Sequence, residues 1–317
     1  PWLGALIGSA IIGFWYWCTD QFIVQRVLSG KNEMEARRGT IFGAYLKLTP
    51  VFLFLIPGMV AFAMQKHGIT VNGETFTMSS ADAAFPTLVA KLLPAGFKGL
   101  VVCGILAALM SSLASLFNSS AMLFTIDFYK KYRPKASEKT LLYVGRVATV
   151  VVVVLGILWI PVMKSVGSVL YNYLQDVQSV LAPGIAAAFL LGICSKKATP
   201  KGGMWGLIAG FIIGITRLGA KVYYTSGATF SDSWFKYLFY DTNWLFFCGG
   251  MLLFCMLVIV VVSRFTTPAP AEQIVGLTFG STTDEQKAVT RASWNKWDVI
   301  HSAIIILITV VFYWYFW

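Results

Sequence analysis

Residues 104–119 read GILAALMSSLASLFNS, inside an apolar run from Leu100 to about Phe128. At about 100° per residue, Gly104, Ala108, Ser111, Ser112, Ser115, Asn118 and Ser119 fall on one side of a helix, with Leu, Ile, Met and Phe on the other. A run of that length reads as a bilayer crossing. The stripe means that one face of the crossing meets something polar. Two readings are open. Small residues let a neighbouring helix approach closely. Equally, Ser hydroxyls and loosened backbone carbonyls are the oxygen donors that hard cations take.

The whole chain has the same character. Of 317 residues, 57% are hydrophobic and only 12% charged, and the mean hydropathy is +0.71. That composition exceeds what a soluble core needs and predicts an all-α polytopic membrane protein. Eight spans can be drawn, at 3–28, 39–65, 98–127, 141–163, 168–194, 202–223, 243–263 and 297–317. No alternating barrel pattern is present, and a helix is the structure that satisfies its own backbone in lipid.

The net charge of +11 would suggest nucleic acid in a soluble chain, but its distribution points to a membrane surface. Seventeen Lys and Arg lie in one set of loops, including Arg37, Arg38, Lys130, Lys131, Arg133 and Lys135. Seven lie on the opposite set, and Lys47 sits inside a span. The basic side is cytoplasmic, so the first span runs inward and Trp317 ends outside. The positive charge faces membrane lipid, not nucleic acid. The five Cys have no metal or redox spacing and read as free thiols in packing roles. His67 and His301 lack a metal-ligand partner at helical spacing and read as structural. No nucleotide motif, nucleophile elbow or paired carboxylates suggest an enzyme.

Other spans carry polar residues at depth. The first places Gly13, Tyr16, Trp17, Asp20 and Gln21 on one face, either as an interfacial belt or as a cavity wall where an aromatic stacks on a sugar ring. Lys47 is a functional or ion-paired lysine, or one that snorkels. Pro50 and Pro57 should bend its helix. Asp127 reads as an ion-pair partner of the adjoining basic loop. In the fifth span Asn172, Gln175, Asp176 and Ser179 share a face ahead of a bend expected at Pro183-Gly184. They bind a hydroxylated ligand or bond to other helices. Gly202, Gly206, Gly210 and Gly214 form a close-packing seam. Residues 66–96 form an outer loop with a short helix over ADAAFPTLVAKLL, and 264–296 a cytoplasmic linker.

Five stretches carry a resemblance: WYWCTDQFIVQRVLSGKN (15–32), GAYLKLTPVFLFLIPGM (43–59), LAALMSSLASLFNSSAMLFTIDFY (106–129), ASEKTLLYVGR (136–146) and YNYLQDVQSVLAPGIAAAFLLGI (171–193). In order and over nearly the whole chain, they resemble the sodium/glucose cotransporters of the solute:sodium symporter family. The resemblance implies an inverted-repeat (LeuT-like) transporter core of two five-helix repeats. Residues 1–195 would be the second repeat, and 196–317 three peripheral helices with the loop 264–296. The first repeat, the N-terminal half of the same protein, would be missing from this chain.

The resemblance further implies sodium-coupled symport of a neutral sugar of the glucose/galactose type. Tyr16 would close the sugar site from the cytoplasmic side, with Trp17, Lys47 and Gln175 contributing to it. Gly13 stands where relatives carry an Asn or Thr that bonds the sugar. Sodium would meet the Ala108 carbonyl and the Ser111 and Ser112 hydroxyls. A second sodium would use a Thr-Ser pair, which here is Ala114-Ser115, so Ser115 alone remains and one sodium per sugar is expected. Another solute such as myo-inositol, or a sugar sensor that does not transport, are the alternatives.

Overall fold

A computed structural model of the chain describes residues 2–166, 170–227 and 233–316. Pro1, the start of the span expected at 168–194, residues 228–232 and Trp317 lie outside the described residues. In chain order the helices are α1 (Trp2–Cys18), α2 (Gln21–Leu28), α3 (Glu33–Leu48), α4 (Ile56–Lys66), α5 (Ala84–Leu92), α6 (Ala95–Leu123) and α7 (Lys130–Tyr132). They continue as α8 (Glu138–Val166), α9 (Leu170–Cys194), α10 (Pro200–Thr225), α11 (Ser233–Lys236), α12 (Trp244–Arg264), α13 (Ala271–Ile274), α14 (Asp284–Ser293) and α15 (Lys296–Phe316). Among the described residues seven continuous helical stretches can cross a membrane by length and composition, and the bent pair α1–α2 makes eight. Each falls on one of the eight stretches read from sequence.

Where the backbone departs from a plain helix, local chemistry accounts for it. The first span breaks at Thr19-Asp20 and turns by 53°. There the Thr19 hydroxyl donates to the Trp15 carbonyl at 2.7 Å. The Asp20 carboxylate accepts from the Phe22 amide at 3.1 Å and so caps α2. Asp20 is thus a cap residue, not one more member of a continuous polar face. Between Pro50 and Pro57 the second span widens into a π-helical segment, Val51–Leu55, which absorbs the missing proline donors without ending the span. A second π segment, Phe124–Tyr129, closes the third span. At Pro183-Gly184 α9 continues without a break, and both residues are buried.

By packing, the chain divides into two compact units. The first comprises residues 1–36 and 161–295. Its centre is α9, α10 and α12, with a core of Val180, Ala187, Phe247, Met251, Cys255 and Ile259. A second cluster, Ile11, Ile12, Ala182, Ala186 and Cys248, seats α1 on α9 and α12. The glycine seam is real. Gly202, Gly206, Gly210 and Gly214 are all buried. A methyl group on Gly202 would strike Ser263, on Gly206 Ile259 and on Gly214 Val180; on Gly210 it would lie 3.0 Å from Cys255 Sγ. The loop expected as a plain linker holds α14, opened by a Thr283/Gln286 capping box.

The second unit comprises residues 37–160 and 296–317. Its small core is Ala61, Phe76 and Leu88. A two-residue hairpin pairs Thr70 with Thr75 and Val71 with Glu74. Its turn puts Asn72 at φ 53° and Gly73 at φ 85°, the left-handed pair that Asn-Gly supplies. The expected helix over ADAAFPTLVAKLL is there as a 3₁₀ turn, Ala81–Ala83, followed by α5. The long helices of this unit leave Leu106, Leu109, Met110, Val150, Val154 and Leu155 exposed, as side chains facing lipid or further protein would be. His301 meets the Tyr45 hydroxyl through Nδ1 at 3.1 Å.

Candidate functional site

In the first unit Gly13, Tyr16 and Trp17 occupy the last turns of α1. Tyr16 is half-buried, and its ring meets Trp17 edge-on with centroids 5.6 Å apart. Gly13 faces open space: a methyl group there would meet no heavy atom within 4 Å. Gln175 lies in the second turn of α9, partly buried, and its amide donates to the Tyr171 hydroxyl at 3.1 Å. The two helices pack together, and Phe14 meets Phe189 at 5.8 Å between ring centroids. Phe189 is fourteen residues, about 21 Å of helical rise, beyond Gln175. The aromatic end of α1 and the Gln175 amide therefore stand at different depths, further apart than one sugar ring reaches.

The polar face expected on α9 divides. Asn172 is exposed, and Gln175 bonds along its own helix. Ser179 is fully buried and donates to the Asp176 carbonyl at 2.7 Å. Asp176 turns to α10, where Arg217 Nη2 lies 3.1 Å from Oδ1 and Lys221 Nζ 3.5 Å from Oδ2. Arg217 is 1% exposed. Its Nη2 also donates to the Thr242 carbonyl at 2.9 Å, and its guanidinium sits 4.0 Å over the Phe247 ring. Sequence reading had missed this cluster. The signal was present, because Arg217 and Lys221 continue the Gly206, Gly210, Gly214 stripe at helical spacing.

In the second unit Ala108, Ser111 and Ser112 lie on exposed surface of α6. The Ser115 hydroxyl donates to the Ser111 carbonyl at 3.1 Å, and that of Ser119 to the Ser115 carbonyl at 2.9 Å. The hydroxyls of Ser111 and Ser112 make no side-chain hydrogen bond among the described residues, which leaves them as oxygen donors for a ligand. Lys47 is in the last turn of α3 and exposed. Asp127 lies in the π segment and makes no ion pair among the described residues, so the expected pairing with the basic loop is not formed.

These helices define an all-α, multi-pass membrane protein. A family profile described as "Sodium:solute symporter family" matches residues 1–210. The chain belongs to that family. It is 41% identical over 276 residues to sodium/glucose cotransporter 1 of Ovis aries, covering 84% of this chain and 42% of the relative. It is 40% identical to sodium/glucose cotransporter 4 of Homo sapiens over 88% of this chain and 42% of the relative. Sodium/glucose cotransporter 2 of Rattus norvegicus is 38% identical over 88% of this chain and 43% of the relative. The chain thus spans less than half the length of the curated relatives it matches.

Proposed function

We propose that this chain is part of a sodium-coupled symporter for a neutral sugar of the glucose/galactose type. The observation that carries the reading is the likeness to proteins named sodium/glucose cotransporters along nearly all of this chain. Residues 1–195 act as the second of two inverted repeats and the helices beyond them as peripheral spans. Further support comes from α6. Its free Ser111 and Ser112 hydroxyls are hard, uncharged oxygen donors, the type an alkali ion takes in place of water. Sodium binds there with the Ala108 carbonyl, and ligands from outside this chain complete its shell.

The sugar meets these groups in turn: Gln175, whose amide offers both a donor and acceptors, and, at a different depth, Tyr16 and Trp17, whose ring faces can stack on its C–H surfaces. Lys47 and Gly13 belong to the same set by family likeness. The depth difference between Tyr16 and Gln175 supports separate roles: Tyr16 as an inner closure and Gln175 as a hydroxyl contact nearer the outer face. Each ligand shifts the outward/inward equilibrium by its differential affinity for the two states, so sodium tightens sugar and sugar tightens sodium. One sodium accompanies each sugar, because Ala114-Ser115 stands in place of the Thr-Ser pair that the family likeness gives to a second sodium. The test is uptake of radiolabelled glucose into proteoliposomes holding the intact protein, with and without an inward sodium gradient. Gradient-driven accumulation supports symport. Binding without accumulation makes the protein a sensor, and accumulation of myo-inositol in place of glucose changes the cargo.

A further inference from the structure

We propose that Arg217 is a positioning residue for sugar, acting through Asp176 to fix the direction in which Gln175 presents its amide. This rests on the reading of Gln175 as a sugar-binding residue. Successive residues of a helix project about 100° apart, so fixing the azimuth of Asp176 fixes that of Gln175. Asp176 is fixed from one side by two cations one turn apart on α10, Arg217 on Oδ1 and Lys221 on Oδ2. Arg217 is itself held on three sides, by the carboxylate, by the Thr242 carbonyl and by the Phe247 ring. Its planar fork makes that geometry specific in a way an ammonium does not.

The arrangement is a poor device for stability alone. Arg217 Nε and Nη1 are buried without a hydrogen-bond partner among the described residues. A buried ion pair often contributes no more than well-packed apolar residues of the same volume. It is a good device for orientation, because it ties α9 to α10 at the residue next to Gln175. The Gln175 amide then has one N–H on Tyr171 and keeps its carbonyl oxygen and second N–H for a hydroxylated ligand.

The test is a double-mutant cycle in the intact protein, read as sodium-dependent sugar uptake per molecule at the surface. Asp176→Asn is expected to raise the half-saturating sugar concentration about tenfold and to move that for sodium by less than about twofold. In a Gln175→Ala background the same substitution is expected to add nothing, because residues acting as one unit are non-additive. A fall in maximal rate with unchanged half-saturation, or additive effects of the two substitutions, overturns the positioning role and leaves Gln175 in place. An unchanged sugar half-saturation in Gln175→Ala alone overturns the sugar-site reading and this inference with it. If Asp176→Asn fails to reach the membrane, Arg217→Lys runs the same cycle with the charge kept and the fork lost. Coupling to Gln175 there supports the role, and additivity overturns it.

Discussion

The Ser115 hydroxyl donates to the Ser111 carbonyl at 3.1 Å, one turn back along α6. That bond separates the serines of the stripe into two kinds. Ser115 satisfies its proton within the helix, whereas Ser111 and Ser112 carry hydroxyls with no side-chain bond among the described residues. Ser112→Ala is therefore expected to raise the sodium concentration for half-maximal uptake about tenfold, the loss of one ligand to a charged group. Ser115→Ala is expected to leave sodium activation within about twofold. Sodium titrations of sugar uptake check both, and equal effects of the two substitutions would remove the sodium assignment on α6.

The glycines of α10 supply a stability contrast between neighbours. A methyl group on Gly202 would press on Ser263 and come 2.9 Å from the Ile259 carbonyl, which is backbone and cannot give way. One residue on, a methyl group on Gly203 meets nothing within 4 Å. Gly202→Ala is expected to destabilise by about 1–3 kcal/mol through overpacking. Gly203→Ala is expected to stabilise by about 0.5–1 kcal/mol through helix propensity. Thermal unfolding of the purified protein in detergent decides, with the two midpoints moving in opposite directions.

The spans were legible because a bilayer crossing is written in length and apolarity, and both are properties of the sequence. The Gly202–Gly214 seam was legible for a similar reason, since a small residue every fourth position has one economical use in a membrane helix. What sequence reading passed over was partly written too. Asn72-Gly73 is a hairpin turn signal, and Thr283 with Gln286 is a capping box. Both were absorbed into loops. The break at Asp20 was hidden, because a continuous helix and a capped restart place Tyr16 and Trp17 identically. The division of the α9 polar face was hidden for a deeper reason. Helical spacing groups Asp176 with Gln175, but the partner that claims Asp176 is Arg217, forty-one residues away, and pairing across helices is not a periodic property.

Asp20 itself carries a prediction. Its carboxylate holds the Phe22 amide at 3.1 Å and starts α2 after the 53° turn. Asp20→Ala leaves that donor unsatisfied and is expected to destabilise by about 1 kcal/mol, with Asp20→Asn recovering most of the loss. Thermal unfolding of the three proteins measures it. If Asn proves as damaging as Ala, the carboxylate has a charge-dependent role beyond capping.

Gly13 offers the most direct probe of sugar choice. It lies on the same helix as Tyr16 and Trp17, and a methyl group there would meet no heavy atom within 4 Å. A side chain can be introduced without displacing a neighbour, and Asn is slightly better than Gly inside a helix. Gly13→Asn is therefore expected to fold as the parent does, so a change in transport reports on recognition and not on stability. The new amide brings both a donor and an acceptor. It is expected to lower the half-saturating concentration of the sugar whose hydroxyl it reaches by about three- to tenfold, the worth of one net hydrogen bond. Uptake of glucose, galactose and myo-inositol by the two proteins, each at several concentrations, gives the comparison. A changed ranking among the three places residue 13 against the sugar and identifies the hydroxyl pattern it reads. An identical ranking with identical half-saturation takes Gly13 out of the sugar site while leaving Tyr16 and Gln175 to be judged on their own substitutions.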